Sequence, residues 1–144
     1  DMLVACQDAC QGADLFIASA AVADYRPAEV AEQKMKKTGP NAGLNLELVQ
    51  NPDILATVAK DFPNTTCIGF AAETEKLIEH AQAKLARKKV AMIIANDVAD
   101  TSIGFNSDDN QVHLVTAAGN LALPRTSKTQ LARQLIDNIA QLDL

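Results

Sequence analysis

Two groups of lysines could bind anions. Lys34, Lys36 and Lys37 lie beside the turn-rich stretch Thr38 to Gly43. In an extended segment, Lys34 and Lys36 point the same way. Lys84 and Lys88 stand four apart in a helical pattern, with Arg87 and Lys89 adjacent. Like charges at that spacing repel by roughly a few tenths of a kcal/mol, and a polyanion turns the repulsion into attraction. Such groups serve either as a solvated basic face or as a phosphate site. Lysine suits a triphosphate because it is a hydrated point charge on a flexible stem.

A second set of residues recurs at the ends of apolar runs. These are Ala20-Ala21-Val22-Ala23-Asp24, Gly69-Phe70-Ala71-Ala72-Glu73 and Ala95-Asn96-Asp97. Each places small side chains before a polar one, as tight packing or a ligand cleft would require. Small side chains let a ligand approach backbone amides. Phe70 is either core or a platform for a base or ribose. The glycines form neither G-x-G-x-x-G nor a Walker loop. A nicotinamide or P-loop site therefore lacks support, and phosphate binding falls to side-chain cations. His80 and His113 have no sequence partner for a metal site or triad and read as structural. Cys6 and Cys10 share a helix face, without a second pair to complete a zinc set. Cys67 reads as a small core residue. Asp108 and Asp109 either solvate a loop or meet a cation.

Alternating elements must position these residues. Met2, Leu3, Cys6 and Cys10 predict a first helix that stops at Gly12. Strands are predicted over Asp14–Ala20, Thr66–Ala71 and Val90–Ala95. Extended segments are predicted over Lys34–Lys37 and Leu44–Val49. Asn51-Pro52-Asp53 predicts a helix start, with Asn as cap and Pro at the first helical position, running to about Lys60. Thr74–Lys89 predicts a helix with Leu77, Ile78, Ala81 and Leu85 inward. Asp97–Asn110 is a polar loop. Val112–Val115 and Leu121–Leu123 predict a hairpin around Gly119-Asn120. Ser127 and Gln130 form a possible capping box for a last helix with Leu131, Leu135, Ile136, Ile139 and Leu142 as its stripe. The fold class is α/β: a three-layer, Rossmann-like, mostly parallel sheet, helices on both faces, and a late antiparallel hairpin.

Composition narrows the function. The 144 residues suit one domain, with 48% hydrophobic and 22% charged residues. The formal charge of −5 argues against non-specific nucleic-acid binding. No apolar run is long enough to cross a membrane. Three cysteines suggest a reducing, cytoplasmic setting without a disulfide framework. The chain opens inside a helix without an initiator Met, so it reads as one whose upstream part is missing.

The motifs then combine into a resemblance. Ser19 to Pro27, Lys34-Met35-Lys36-Lys37, Asn51-Pro52-Asp53-Ile54, Gly69 to Thr74, Ala95-Asn96-Asp97 and Gly104 to Asp108 follow one another in order. This series resembles the bacterial phosphopantothenoylcysteine synthetase domain over essentially the whole chain. That domain is the C-terminal half of a bifunctional coenzyme A biosynthesis protein in many bacteria. Residues 1–144 are thus expected to be one partial synthetase domain. Its expected fusion partner is a flavin-dependent decarboxylase, and no flavin is expected in this domain.

The resemblance implies a ligase that joins 4′-phosphopantothenate to L-cysteine with CTP, through an acyl cytidylate. It implies that Ala18, Ser19, Ala20 and Asp24 bind the nucleotide, Asp24 at a ribose hydroxyl. Lys34 is implied to contact CTP phosphate and to be the catalytic cation. Asn51, Pro52, Asp53, Ile54 and Phe70 are implied to line the nucleotide pocket, with Lys84 and Lys88 as helical nucleotide-binding lysines. Mg²⁺ is expected with CTP, its protein ligands unassigned, and a homodimer is expected. The family's Ser-Asn-His-Ser-Ser-Gly-like stretch, with its glycine-rich phosphate site, is not in this chain. Unless that segment is supplied, CTP is expected to bind without ligation. The chain would then be a nucleotide-binding module rather than an enzyme. A Rossmann-type oxidoreductase is a third reading, disfavoured by the absent glycine fingerprint.

Overall fold

Apolar runs bounded by turn residues become the strands of one sheet in the computed structural model, which describes residues 1–36, 39, 42–98 and 107–142. The helices are α1 (Met2–Ala9), α2 (Ile54–Asp61), α3 (Leu77–Lys88) and α4 (Lys128–Ile139). The strands are β1 (Leu15–Ala18), β2 (Tyr25–Pro27), β3 (Leu48–Gln50), β4 (Thr66–Glu73), β5 (Met92–Asp97), β6 (Asp109–Thr116) and β7 (Gly119–Ser127). They form two units. The first joins Asp1–Ser19 to the chain from Ile54 onward, and the second is Ala20–Asp53.

The first unit holds a five-stranded sheet in the order β1-β4-β5-β6-β7. β1, β4 and β5 pair in parallel, whereas β6 runs antiparallel to both β5 and β7. Only β6 therefore reverses direction. Alternation of side chains sends successive residues to opposite faces. On one face Cys67, Ala71, Ile93, Ala95 and Val115 pack against Cys10, Leu55, Val58 and Ala81 from the α1, α2 and α3 side. On the other, Ile68, Met92, Ile94, Val112 and Leu114 pack against Leu131 and Ile139 of α4. Ile68, Ile93 and Ile94 are fully buried, as strands covered on both faces must be. The expected three-layer α/β sheet with a late hairpin is what forms.

The second unit is a two-stranded antiparallel ribbon of β2 and β3, with Arg26 opposite Val49. Its strands differ from the expected extended segments. Tyr25–Pro27, where no strand is predicted, supplies one strand, and the other is confined to Leu48–Gln50. Lys34 and Lys36 have no regular secondary structure, and Lys37 and residues 38, 40 and 41 of the Thr38–Gly43 loop lie outside the described residues.

Other boundaries shift for local reasons. α2 begins at Ile54, so Asn51 is not its cap; the Asn51 side chain instead donates to Ala23 O at 2.7 Å. β4 and β5 run past the apolar residues to Glu73 and Asp97 because each pairs with the other to its end. α3 starts later than expected, at Leu77, and Lys89 in the left-handed region (φ 54°) ends it, its N–H donating to Leu85 O. The hairpin is longer than expected. Thr116 pairs with Gly119, so Ala117-Ala118 make the turn and Gly119, at φ +144°, opens β7. Ser127 Oγ does accept from Gln130 N at 3.3 Å, but the Gln130 side chain turns to Thr126, so the box is not reciprocal. Ile136, expected in the α4 stripe, is 55% exposed. Most of the expected Asp97–Asn110 loop lies outside the described residues, and β6 already begins at Asp109.

Gly69 explains how closely α2 lies on the sheet. A Cβ there would stand 2.3 Å from Leu55 Cδ2 and 3.2 Å from Ile93 Cδ1. Gly69→Ala is expected to destabilise the fold by about 1–3 kcal/mol through overpacking. Leu55→Ala should recover part of that loss in the double variant. Urea unfolding of both singles and the double checks this, and strictly additive losses would overturn it.

Candidate functional site at the strand ends

The parallel register brings three carboxyl ends to one rim. Ala18, the last residue of β1, pairs with Gly69. β4 then continues through Phe70, Ala71, Ala72 and Glu73, backed by Ile94 to Asp97 of β5. The rim is therefore stepped, with four residues of β4 standing beyond the end of β1. Phe70 is 41% exposed there, whereas Ala71 beside it is buried. Phe70 is therefore not a core residue. Open α/β sheets take ligands at this rim, outside the carboxyl ends of the strands.

Alternation turns Glu73 to the same face as Ala71, under α3. Its side chain is only 12% exposed. His80 and Lys84 are four apart on α3, hence on one face of it. Lys84 Nζ donates to Glu73 Oε1 at 2.5 Å, and His80 Nδ1 lies 3.2 Å from Oε2 as the donor. Burial by itself would raise the Glu73 pKa. The hydrogen bonds and charges of Lys84 and His80 outweigh burial and hold it below the ordinary carboxylate range. His80, read as structural, thus has an acidic partner in space, and Lys84 is ion-paired to Glu73. The signal was present in the His80/Lys84 spacing, but nothing local linked either residue to Glu73.

The remaining expected site residues divide between the units. Ala18, Ser19, Ile54, Phe70, Lys84 and Lys88 belong to the first, and Ala20, Asp24, Lys34, Asn51, Pro52 and Asp53 to the second. In the second unit, Asn51 ties the segment after Ala20 to β3. Its backbone N donates to Asp24 O at 2.7 Å, and its side-chain oxygen accepts from Arg26 Nη1 at 3.0 Å. Arg26 Nη1 also donates to Gln50 O at 3.2 Å. Asp24 and Lys34 are exposed. Arg26 is a residue the sequence did not single out beyond its motif. Asp109 faces Arg125 Nε at 3.4 Å, so its partner is an arginine. Among the described residues no group of three or more His, Cys, Asp or Glu side chains could hold a metal ion.

Comparison with known proteins decides the family. Residues 1–142 match the DNA/pantothenate metabolism flavoprotein C-terminal domain. The chain belongs to this family. It is 52% identical over 119 residues to the coenzyme A biosynthesis bifunctional protein CoaBC of Vibrio cholerae, covering 82% of this chain and 30% of that protein. It is 43% identical over 142 residues to CoaBC of Escherichia coli, covering 96% of this chain and 35% of that protein. The chain thus spans about a third of the length of the curated relatives it matches. Among solved structures, the C-terminal domain of a CoaBC protein superposes with a TM-score of 0.77 at 34% identity, covering 99% of this chain and 63% of that one. A mutant of Cab2 in complex with phosphopantothenate-cysteine shares the fold, at TM-score 0.66 and 19% identity over 86% of this chain and 43% of that one. The resemblance drawn from the motifs was to the C-terminal part of these same bifunctional proteins.

Two outcomes follow for this family member. The folded Glu73 carboxyl titrates below its ordinary value of 4.5. The stability it contributes is therefore complete above that value and is lost as pH falls through the lowered one. Urea midpoints between about pH 5 and about pH 3 should fall more steeply for the wild type than for Glu73→Gln; equal slopes would count against the pairing. Cys67 is buried, and burial, with Cys10 beside it, pushes its thiol up to about 11. With iodoacetamide at neutral pH, mass mapping should find Cys6 modified first and Cys67 last, because the thiolate is the reactive species.

Proposed function

We propose that this domain is the ligase part of a coenzyme A biosynthesis enzyme, joining 4′-phosphopantothenate to L-cysteine at the expense of CTP. The observation that carries this is the stepped rim. The carboxyl ends of β1, β4 and β5, with Gly69 to Glu73 and Ala95-Asn96-Asp97, fall on one edge of a parallel sheet, in a chain 52% identical over 119 residues to a coenzyme A biosynthesis protein.

A carboxylate is a poor acyl donor because its leaving group would be oxide. In the proposed first step, the phosphopantothenate carboxylate attacks the α-phosphorus of CTP. Pyrophosphate leaves and an acyl cytidylate forms. In the second, the cysteine amine attacks the acyl carbon, CMP leaves, and the nitrogen loses a proton. The first step joins two anions, so fixed cations must offset their repulsion. Lys34 is assigned to the triphosphate as the catalytic cation. Lys84 and Lys88 are assigned to the nucleotide, as are Ala18, Ser19, Ala20, Asp24 and the Asn51–Ile54 stretch. Phe70 supplies an exposed ring for base or ribose. Mg²⁺ is assigned to CTP as its counter-ion.

The same reading makes the protein cytoplasmic and the flavin chemistry that of a fused decarboxylase. Among the described residues no helix is long and apolar enough to cross a membrane. A homodimer is also proposed. Val30 (85% exposed), Leu44 and Leu46 of the second unit offer apolar surface that a second copy would cover.

The test is calorimetry with CTP, ATP, GTP and UTP on the wild type and Lys34→Gln, alongside pyrophosphate release with phosphopantothenate and cysteine. CTP should bind most tightly, and Lys34→Gln should weaken it about tenfold, the scale of one charge-assisted contact. Binding without pyrophosphate release would favour the nucleotide-binding module. Equal affinity for all four nucleotides, or an indifferent variant, would sink the CTP reading.

A further inference from the structure

We infer that Glu73 is a positioning residue that aims Lys84 at an anionic ligand on the strand-end rim. The inference deepens the nucleotide reading above and rests on it for the identity of the ligand. Glu73 is the last residue of β4, paired with Asp97, and its carbonyl accepts from Val98 N at 3.0 Å. Its backbone is therefore fixed by the sheet, and its side chain is almost covered, at 12% exposed. Lys84 is different: its side chain is 35% exposed and reaches solvent. The carboxylate is the anchored member of the pair and the ammonium the presented one.

The two carboxylate oxygens have separate duties. Oε2 faces His80 Nδ1 at 3.2 Å, and Oε1 takes one N–H of Lys84 at 2.5 Å. With the second oxygen engaged, the carboxylate resists rotation about its own axis. An ammonium carries three donors, so one bond to Glu73 leaves two for a ligand. A long flexible stem loses much rotamer freedom when it binds an anion, and a lysine already held loses less. A pair serving only to staple α3 to β4 would affect stability alone. A pair that presents Lys84 must also make the ligand affinity of Lys84 depend on Glu73.

A thermodynamic cycle separates these roles. CTP is titrated calorimetrically into the wild type, Glu73→Ala, Glu73→Gln, Lys84→Ala and the Glu73→Ala/Lys84→Ala double variant. The ε-methylene signal of Lys84, assigned by its loss in Lys84→Ala, is followed by NMR. Glu73→Ala should weaken CTP binding about tenfold, and Glu73→Gln, which keeps an acceptor for the ammonium, only about two- to threefold. The double variant should bind no worse than Lys84→Ala, and the Lys84 signal should become mobile without Glu73. Additive losses, undiminished affinity in Glu73→Ala, or an unchanged Lys84 signal would overturn the inference. A wild type that binds no CTP while its Lys84 signal still depends on Glu73 would sink the nucleotide reading and leave the positioning of Lys84 by Glu73 standing. If Glu73→Ala fails to fold, Glu73→Gln carries the test, since a Lys84 signal as ordered as the wild type's would refute the role of the carboxylate charge.

Discussion

The β4–β5 ladder is the constraint on which the first unit depends. Both strands are covered on both faces, so their interior residues must be apolar and their peptide groups must pair fully. Ile68, Ile93 and Ile94 meet the first demand, and pairing from Ile68↔Met92 to Glu73↔Asp97 meets the second. Polar side chains gather where the ladder ends. That place is the carboxyl rim, where Phe70, Glu73, Asn96 and Asp97 stand. The apolar interior and the candidate site are consequences of one register.

Gly69 links packing to that rim. Leu55 occupies the space a side chain would take, which lets α2 lie against the β4 backbone beside the end of β1. Two residues further, Ala71 is again small and buried, and only then does the strand turn a large polar group, Glu73, toward α3. A carboxylate this largely covered would carry a desolvation cost without partners. His80 and Lys84 supply partners to both of its oxygens, and their effect on its ionisation exceeds that of burial. The interaction that makes burial of Glu73 possible also gives Lys84 a defined place.

The second unit solves a different problem. A two-stranded ribbon has little interior of its own, and its cohesion comes from polar ties. Asn51 reaches Ala23 and receives Arg26, while its backbone holds Asp24. Asn51 is thus a structural brace for the segment that carries the Asp24 motif. That role was hidden in the sequence because Asn-Pro-Asp is also the signature of a helix start, and local chemistry favours that reading. The brace needs a partner at Arg26, far away along the chain.

What the sequence determined by itself is whatever depends on local pattern. Apolar runs at Leu15, Cys67 and Met92, helical stripes at Leu77 and Leu131, and the ordered motifs were enough for the fold class and the family. Strand ends and turn positions were less legible, because pairing rather than composition decides them: Glu73 and Asp97 are strand only because they face each other, and Gly119 is strand because Thr116 is its partner. The pairing of Glu73 with His80 and Lys84, and of Asn51 with Arg26, was decided by tertiary structure alone. Charge and hydrogen-bond partners are chosen by distance in space, and a chain specifies that distance only once its sheet has fixed which residues share a face.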